Sequence, residues 1–177
     1  MPNFVTDGAI GINLDNPTSA DRYPAGVAPY AQGQTHEGNN NSEWIYVLAT
    51  SALNAGAMVV IETNNTVSAL ISTNLVSANR RIGFAQTAFT SSQFGFVATR
   101  GNNILIRVQG AVTGGGGQPL YTTDTAGALS TVTNSASHFA IWNVYLKSSV
   151  SASASTAAAA TAAVSWPMRE PVSSDRP

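Results

Sequence analysis

The sequence predicts an all-β fold, a small antiparallel β-barrel or sandwich with an extended N-terminal arm. Three observations lead there. Stretches such as "EWIYVLA" and "ILIRVQG" alternate their side chains with the period of two of a β-strand. Turn-forming clusters recur about every ten residues, the spacing of a sandwich or barrel. No segment sustains the 3.6-residue period of an amphipathic helix.

Residues 1–42 are rich in Pro, Gly, Asn and Asp, with lone aromatics at Phe4, Tyr23 and Tyr30. Such turn chemistry lacks strand or helix periodicity. An extended arm with a few adhesive side chains and an unstructured leader both fit it. The β-domain is expected over residues 43–168. "EWIYVLA" sets Trp44, Tyr46 and Leu48 against Ile45, Val47 and Ala49. "AMVVIE" is a short apolar run, the pair Asn64 and Asn65 makes a turn, and "VSALIS" places Val67, Ala69 and Ile71 on one face. "RRIGFAQTAF" leads into "FGFVAT", and "RGNN" (Arg100 to Asn103) reads as a hairpin turn before "ILIRVQG". Phe94, Phe96, Ile104 and Ile106 are the expected core of that hairpin, with Arg100 on its loop.

Four consecutive glycines at 114–117 read as a flexible loop, "PLY" as a short strand and "DTAG" as a turn. "HFAIWNVYLK" is apolar on both faces, as a central strand is. Residues 148–163 are a low-complexity Ser/Ala connection. The Ala run favours helix but is too short to hold one alone, so a last strand "AAVSW" is expected, ended by Pro167. Residues 169–177 read as a loose tail. All three tryptophans, Trp44, Trp142 and Trp166, fall in strand patterns where burial is expected.

Composition narrows the function. Of 177 residues 44% are hydrophobic, enough for a core, but only 10% are charged, against about 25% in ordinary soluble domains. The polar surface must come from Ser, Thr, Asn and Gln, which suits a surface meant to be covered or packed in an array. The net charge is −1 and the eight Lys and Arg are scattered, so no basic stripe predicts nucleic-acid binding. The absence of cysteine removes disulfides, thiolate zinc sites and a Cys nucleophile, and it fits assembly in a reducing cytosol. No secretory signal is expected at the start, and no run approaches the roughly 18 apolar residues of a membrane span.

Catalytic templates fail one by one. No G-x-S-x-G elbow accompanies His36 or His138, both expected at the surface or a strand edge. Glu43, Glu62 and Asp124 are too scattered in sequence to define a carboxylate pair. No metal-ligand spacing occurs. The poly-Gly loop has no following Lys and so is no phosphate loop. "NNS" at Asn40 and "NNT" at Asn64 match a glycosylation acceptor pattern but read as turns. The sequence therefore predicts neither enzymatic activity nor a cofactor. The arginines Arg80, Arg81 and Arg100 remain as candidate partner contacts, because a guanidinium makes fixed, bidentate contacts with carboxylates. A solvated strand face is the simpler explanation of them. Together with Phe4, Tyr23 and Tyr30 they make up the candidate interface.

The segments "GNNNSEWIYVLATSALNAGAMVVI", "IGFAQTAFTSSQFGFVATRGNNILIRV", "QPLYTTDTAGALST" and "VSWPM" resemble the capsid decoration (cement) proteins of tailed bacteriophages. The likeness covers residues 38–168 and rests on turn-and-strand signatures. It implies a compact β-barrel or β-tulip on the outer surface of an icosahedral head, assembled in the host cytoplasm. The implied partners are the major capsid protein and further copies of the chain, as a trimer at a local three-fold axis. The long arm and the Ser/Ala insertion depart from a minimal member. A head-fibre base, an adhesin or a carbohydrate-binding module of the virion is the alternative, and it would present an aromatic platform on a β-face.

Overall fold

Period-two alternation pays off only where neighbouring strands supply the ladder, so the pairing decides which of these runs become strands. A computed structural model describes residues 18–19, 30–38, 41–72, 80–110, 119–131, 138–147, 149–150 and 158–164. Among them the strands are β1 (Thr18–Ser19), β2 (Thr35–Gly38), β3 (Ser42–Ala49), β4 (Met58–Ile61), β5 (Thr66–Ala69), β6 (Arg81–Ala85) and β7 (Gln93–Gln109). They continue with β8 (Leu120–Thr122), β9 (Leu129–Ser130), β10 (Ala140–Ile141), β11 (Val144–Leu146) and β12 (Ala158–Val164). The fold is all-β, a closed five-stranded barrel with further strands outside it.

The barrel closes in the order β7–β3–β5–β4–β6 and back to β7. All of these pairs are antiparallel except β3 with β5, which is parallel. The β4–β5 hairpin turns at Asn64 and Asn65 as the sequence predicts, with Asn65 at φ 60, a conformation its short amide tolerates. One side chain of every two points inward. Ile45, Val47, Val59, Ile61, Val67, Ala85 and Val97 meet there as one cluster drawn from all five strands. The strand residues of the cluster are small or branched, because five strands enclose little space; Leu53 and Phe89, bridged to each other outside the five strands, complete it.

The opposite faces of the same strands carry the large residues. Trp44, Tyr46, Met58, Val60, Ile82, Phe84 and Phe96 form a second, larger core with Ile104, Ile106, Leu120, Leu129, Ile141, Val144, Leu146, Ala162 and Val164. Fully burying a side chain such as Phe84 stabilises the fold by about 3 kcal/mol relative to leaving it exposed. The second contributors lie on an outer sheet ordered β11–β12–β7–β9–β8–β10. Its edge strands β10 and β11 run in the same direction and are separated by only Trp142 and Asn143. The sheet therefore curls back on itself, with its two edges no more than about 11 Å apart at that junction.

β7 joins the two parts. It is 17 residues long, on the order of 50 Å, and its side chains Phe96, Ala98, Ile104, Ile106 and Val108 reach the larger core. Here the expected hairpin at Arg100–Asn103 is corrected. The chain does not reverse, because the ladder partner of the first half is β3 and that of the second half is β12. Gly101 sits at the handover with φ 151, a conformation that side chains rarely adopt. Arg100 consequently lies inside a strand and not on a loop.

Three further boundaries move. The chain ahead of Glu43 is not all arm. β2 pairs with β3, Tyr30 packs on the larger core, and β1 pairs with Gln93 and Phe94 on the stretch of β7 that β6 leaves open. The Ser/Ala connection is cut short by β12, whose ladder with β7 begins at Ala158. With a strand on either side, small residues are an advantage there. Ala160 and Ala162 let the β12 backbone lie close against the core, and tertiary packing overrides helix propensity. "HFAIWNVYLK" is not one continuous strand but β10 and β11, jogged at Asn143, which has φ 67. The rest of the proposed arm, the poly-Gly loop and the tail at 169–177 lie outside the described residues.

Candidate interaction surface

Inward alternation also puts polar side chains at one end of the barrel. Glu43, at the start of β3, accepts hydrogen bonds from Thr99 Oγ1 at 3.0 Å and from Arg81 Nη2 at 3.1 Å. β3 and β6 flank β7, so these three residues tie three adjacent strands together over the end of the apolar interior. The other two candidate arginines are committed in the same way. Arg80 pairs with Glu62 at 2.5 Å, and Arg100 with Glu37 of β2 at 3.3 Å. Arg81 and Arg100 are brought to the same end of the barrel, since Glu43 is the ladder partner of Arg100. Each of the three predicted arginines thus has a carboxylate within its own chain.

Tyr30 is inside an aromatic cluster. Its ring lies 5.2 Å from Tyr46, 5.3 Å from Phe96 and 5.8 Å from His36, at steep interplanar angles, and Phe94 stacks on Tyr46 at 5.8 Å. Edge-on contacts of this kind favour the ring quadrupoles. They make Tyr30 a fastener of the segment that precedes β2. Phe4 and Tyr23 lie outside the described residues.

His36 keeps its expected strand-edge position, but neither histidine is on the surface. His36 is on an edge strand but its ring turns inward against Phe96 at 5.4 Å. His138 is also buried, with Nε2 3.9 Å from Asp124 Oδ2. Ser72 donates a hydrogen bond to the other oxygen of Asp124. The fold thus brings a Ser, an Asp and a His together, but in the wrong order for acyl transfer. A catalytic triad needs the imidazole between hydroxyl and acid, whereas here the carboxylate is central. The contacts instead clasp the end of β5 to the outer sheet, helped by the Ser72 amide bonding the Thr123 carbonyl at 3.0 Å. The three acids considered as a carboxylate pair serve separate contacts: Glu43 with Arg81, Glu62 with Arg80, and Asp124 in this clasp. Among the described residues no group of three His, Asp or Glu is placed to hold a metal ion.

Sequence reasoning missed the surface feature that stands out most. Trp44 is fully buried as expected, with its indole N–H donating to Ser42 Oγ at 2.8 Å, but Trp142 is 64% exposed and Tyr145 47% exposed. The left-handed Asn143 between Trp142 and Val144 breaks the alternation, so that Val144 and Leu146 point inward while Tyr145 and Trp142 face solvent. The Asn in "IWNVY" is the signal that points to it, since Asn adopts this conformation more readily than other side-chain-bearing residues. Trp166 lies outside the described residues. No model of a known protein family matches the chain, and no curated protein matches it.

Proposed function

We propose that this chain is a virion structural protein that binds the outer surface of an icosahedral phage head and stabilises the expanded shell by bridging capsomers, as a homo-oligomer, in a trimeric arrangement. The observation that carries the reading is how the charged groups are used. Arg80 and Arg81 are held by glutamates that fasten the barrel, Arg100 pairs with Glu37 of the adjoining β2, and Asp124 clasps the barrel to the outer sheet. A rigid, weakly charged β-body of this sort is suited to association over area. Permanent contacts of that kind bury on the order of 1,600 Å² or more. The strand-and-turn likeness to decoration proteins supports the same reading, and the chain ahead of β1 is the natural source of additional contact.

The test is to mix the purified protein with expanded shells that lack it. Saturable binding at a fixed ratio to capsid subunits is expected, and its absence overturns the proposal. Removing residues 1–17 should weaken binding while the β-fold persists. Unchanged affinity would confine the contact to the β-body. The alternative, an adhesin or carbohydrate-binding module of the virion, gains from one observation, the exposure of Trp142 beside Tyr145. Binding to a glycan array with none to shells would favour it.

A further inference from the structure

The side of the outer sheet that faces away from the larger core carries a shallow trough. β12 lies between β11 and β7, and the register fixes which side chains share that side. Ala160 and Ala162 of β12, Val144 and Leu146 of β11, and Ile104 and Ile106 of β7 enter the larger core. Alternation sends their neighbours outward. Tyr145 is opposite Ala163, Thr161 opposite Leu105, and Ala159 opposite Arg107. The Lys147 amide donates to the Thr161 carbonyl at 3.0 Å, which extends that row to Lys147. Tyr145, Lys147 and Ala159 are exposed, and Leu105, Arg107, Thr161 and Ala163 are half-buried. Tyr145 and Lys147 thus form one rim, Leu105 and Arg107 the other, and the short side chains of β12 the floor. Two strand spacings put the rims about 10 Å apart, which leaves room for a single extended chain.

The rims are basic and unbalanced. β7, β11 and β12 contain no Asp or Glu. Arg80, Arg81 and Arg100 each have a glutamate, whereas among the described residues no carboxylate or hydrogen bond engages the Arg107 guanidinium. Its stem packs beside Gly56, where an added Cβ would lie 3.1 Å from Arg107 Cγ. The base of the side chain is therefore steadied while its head is left for a partner. Lys147 donates to Asn103 Oδ1 at 3.2 Å, and an ammonium has three donors. By the register the two cationic residues stand about 12 Å apart, so both stems reach toward a carboxylate lying between them. That carboxylate does not come from the described residues, whose acids Glu37, Glu43, Glu62 and Asp124 are all engaged elsewhere. Outside them, Glu170 and Asp175 are accompanied by Arg169 and Arg176, but Asp7, Asp15 and Asp21 have no Lys or Arg ahead of Arg22. The same leader contains "AIGINLD", in which Ile10, Ile12 and Leu14 alternate with Gly11, Asn13 and Asp15. That is the pattern of an extended chain with one apolar side.

We propose that residues 9–15 of one copy dock along β12 of the next, with Ile10, Ile12 and Leu14 over the floor and Asp15 between Arg107 and Lys147. The proposal rests on the homo-oligomeric reading above and names its copy-to-copy contact. A leader passed from each copy to the next is a heterologous contact, which makes a ring where the rotation closes. The chain has no cysteine, so introduced thiols report the contact directly. Full-length Asn13→Cys and isotope-labelled full-length Thr161→Cys are mixed in equal amounts, without shells, treated with a short bismaleimide and weighed by mass spectrometry. A mixed cross-linked dimer is expected, and Asn64→Cys at the β4–β5 turn in place of Thr161→Cys should give little of it. Arg107→Glu in the Thr161→Cys protein should lower the yield about tenfold, because like charges then face each other. Asp15→Arg in the Asn13→Cys protein should restore it. Unaltered circular dichroism in each variant separates loss of contact from loss of fold. No mixed cross-link overturns the proposal, as does a yield indifferent to Arg107→Glu. A cross-link confined to single chains of an Asn13→Cys/Thr161→Cys protein would show that each leader serves its own copy and overturn it equally. Saturable shell binding by a chain that never cross-links would leave the capsid reading standing and overturn this contact alone.

Discussion

The barrel interior and the core outside it are built from opposite faces of the same strands and filled by opposite rules. Inside, Ile45, Val47, Val59, Val67, Ala85 and Val97 crowd a narrow space. Outside, Trp44, Tyr46, Met58, Phe84 and Phe96 fill a wide one, under a sheet that contributes Ile, Leu and Ala. The difference teaches that the aromatic side chains of these strands all lie outside the barrel wall, whereas small and branched ones, Val60, Ile82 and Ala98 among them, occur on either side. It also sets opposite sensitivities: the outer core cannot lose volume, and the barrel cannot gain it.

The sharpest way to break the comparison is Trp44→Ala. The indole is fully buried and its N–H is satisfied by Ser42. Truncation leaves a cavity that rigid strands on both sides cannot close, and it strips Ser42 Oγ of its donor. A loss of about 3–5 kcal/mol is expected, read as a drop in the urea midpoint at unchanged slope. A loss below about 1 kcal/mol would show that the outer sheet settles into the gap and that the larger core is soft.

The converse experiment adds a single carbon. A Cβ built on Gly83 would lie 3.0 Å from the Ala98 carbonyl oxygen and 3.4 Å from Ile61 Cδ1 and Val97 Cγ2. Backbone on one side and packed branched residues on the other leave little room to yield. Gly83→Ala should therefore cost about 1–3 kcal/mol, more than Ile106→Val, which removes one carbon from the larger core at about 0.5–1.5 kcal/mol. If both changes measure alike in parallel urea titrations, the barrel is no tighter than the core around it.

Much of this architecture was legible in the sequence because alternation is a local signal. The opposition of Trp44 and Tyr46 to Ile45 and Val47 became the division between the two interiors, and the turns at Asn64–Asn65 and at 124–127 are where the residue types place them. Failures came where a distant partner decides. Nothing local separates a "RGNN" turn from a strand continuing through it. The choice is made by β3 and β12, more than fifty residues away on either side. Likewise the Ala run is a strand only because β7 and β11 receive it. Of the candidate surface residues, Arg80, Arg81, Arg100 and Tyr30 have structural partners that come from other strands or from Glu62 beyond β4, which sequence spacing alone cannot reveal.

The polar end of the barrel refines the contrast. Glu43 receives both Arg81 and Thr99, and its side chain is mostly buried. Glu43→Ala leaves the Thr99 hydroxyl and the Arg81 guanidinium without that acceptor. A cost of about 1.5–3 kcal/mol would be typical of a hydrogen bond to a charged group, and access of water to the barrel end should bring it toward the lower figure. Hydrogen exchange offers the more specific reading. Amides of Ile45 and Val97 should exchange faster in the variant while those of Ile106 and Leu129 keep their protection. Uniform acceleration would mean that the two interiors open as one unit.

Arg100→Ala should matter least, although its pair also bridges strands. Glu37 is largely exposed, so the ion pair gains little Coulomb energy in water, and holding two long side chains in place offsets part of that. Exposed pairs contribute about 0–1 kcal/mol, and high salt should erase the difference between variant and parent. The ladder from Ser42 to Gly38 and from Thr35 to Ile45 keeps β2 in place without the charges. A loss well above 1 kcal/mol that persists in molar salt would show that the arginine acts through the packing of its stem against β2 and β3, and would move this corner of the surface into the structural core of the barrel.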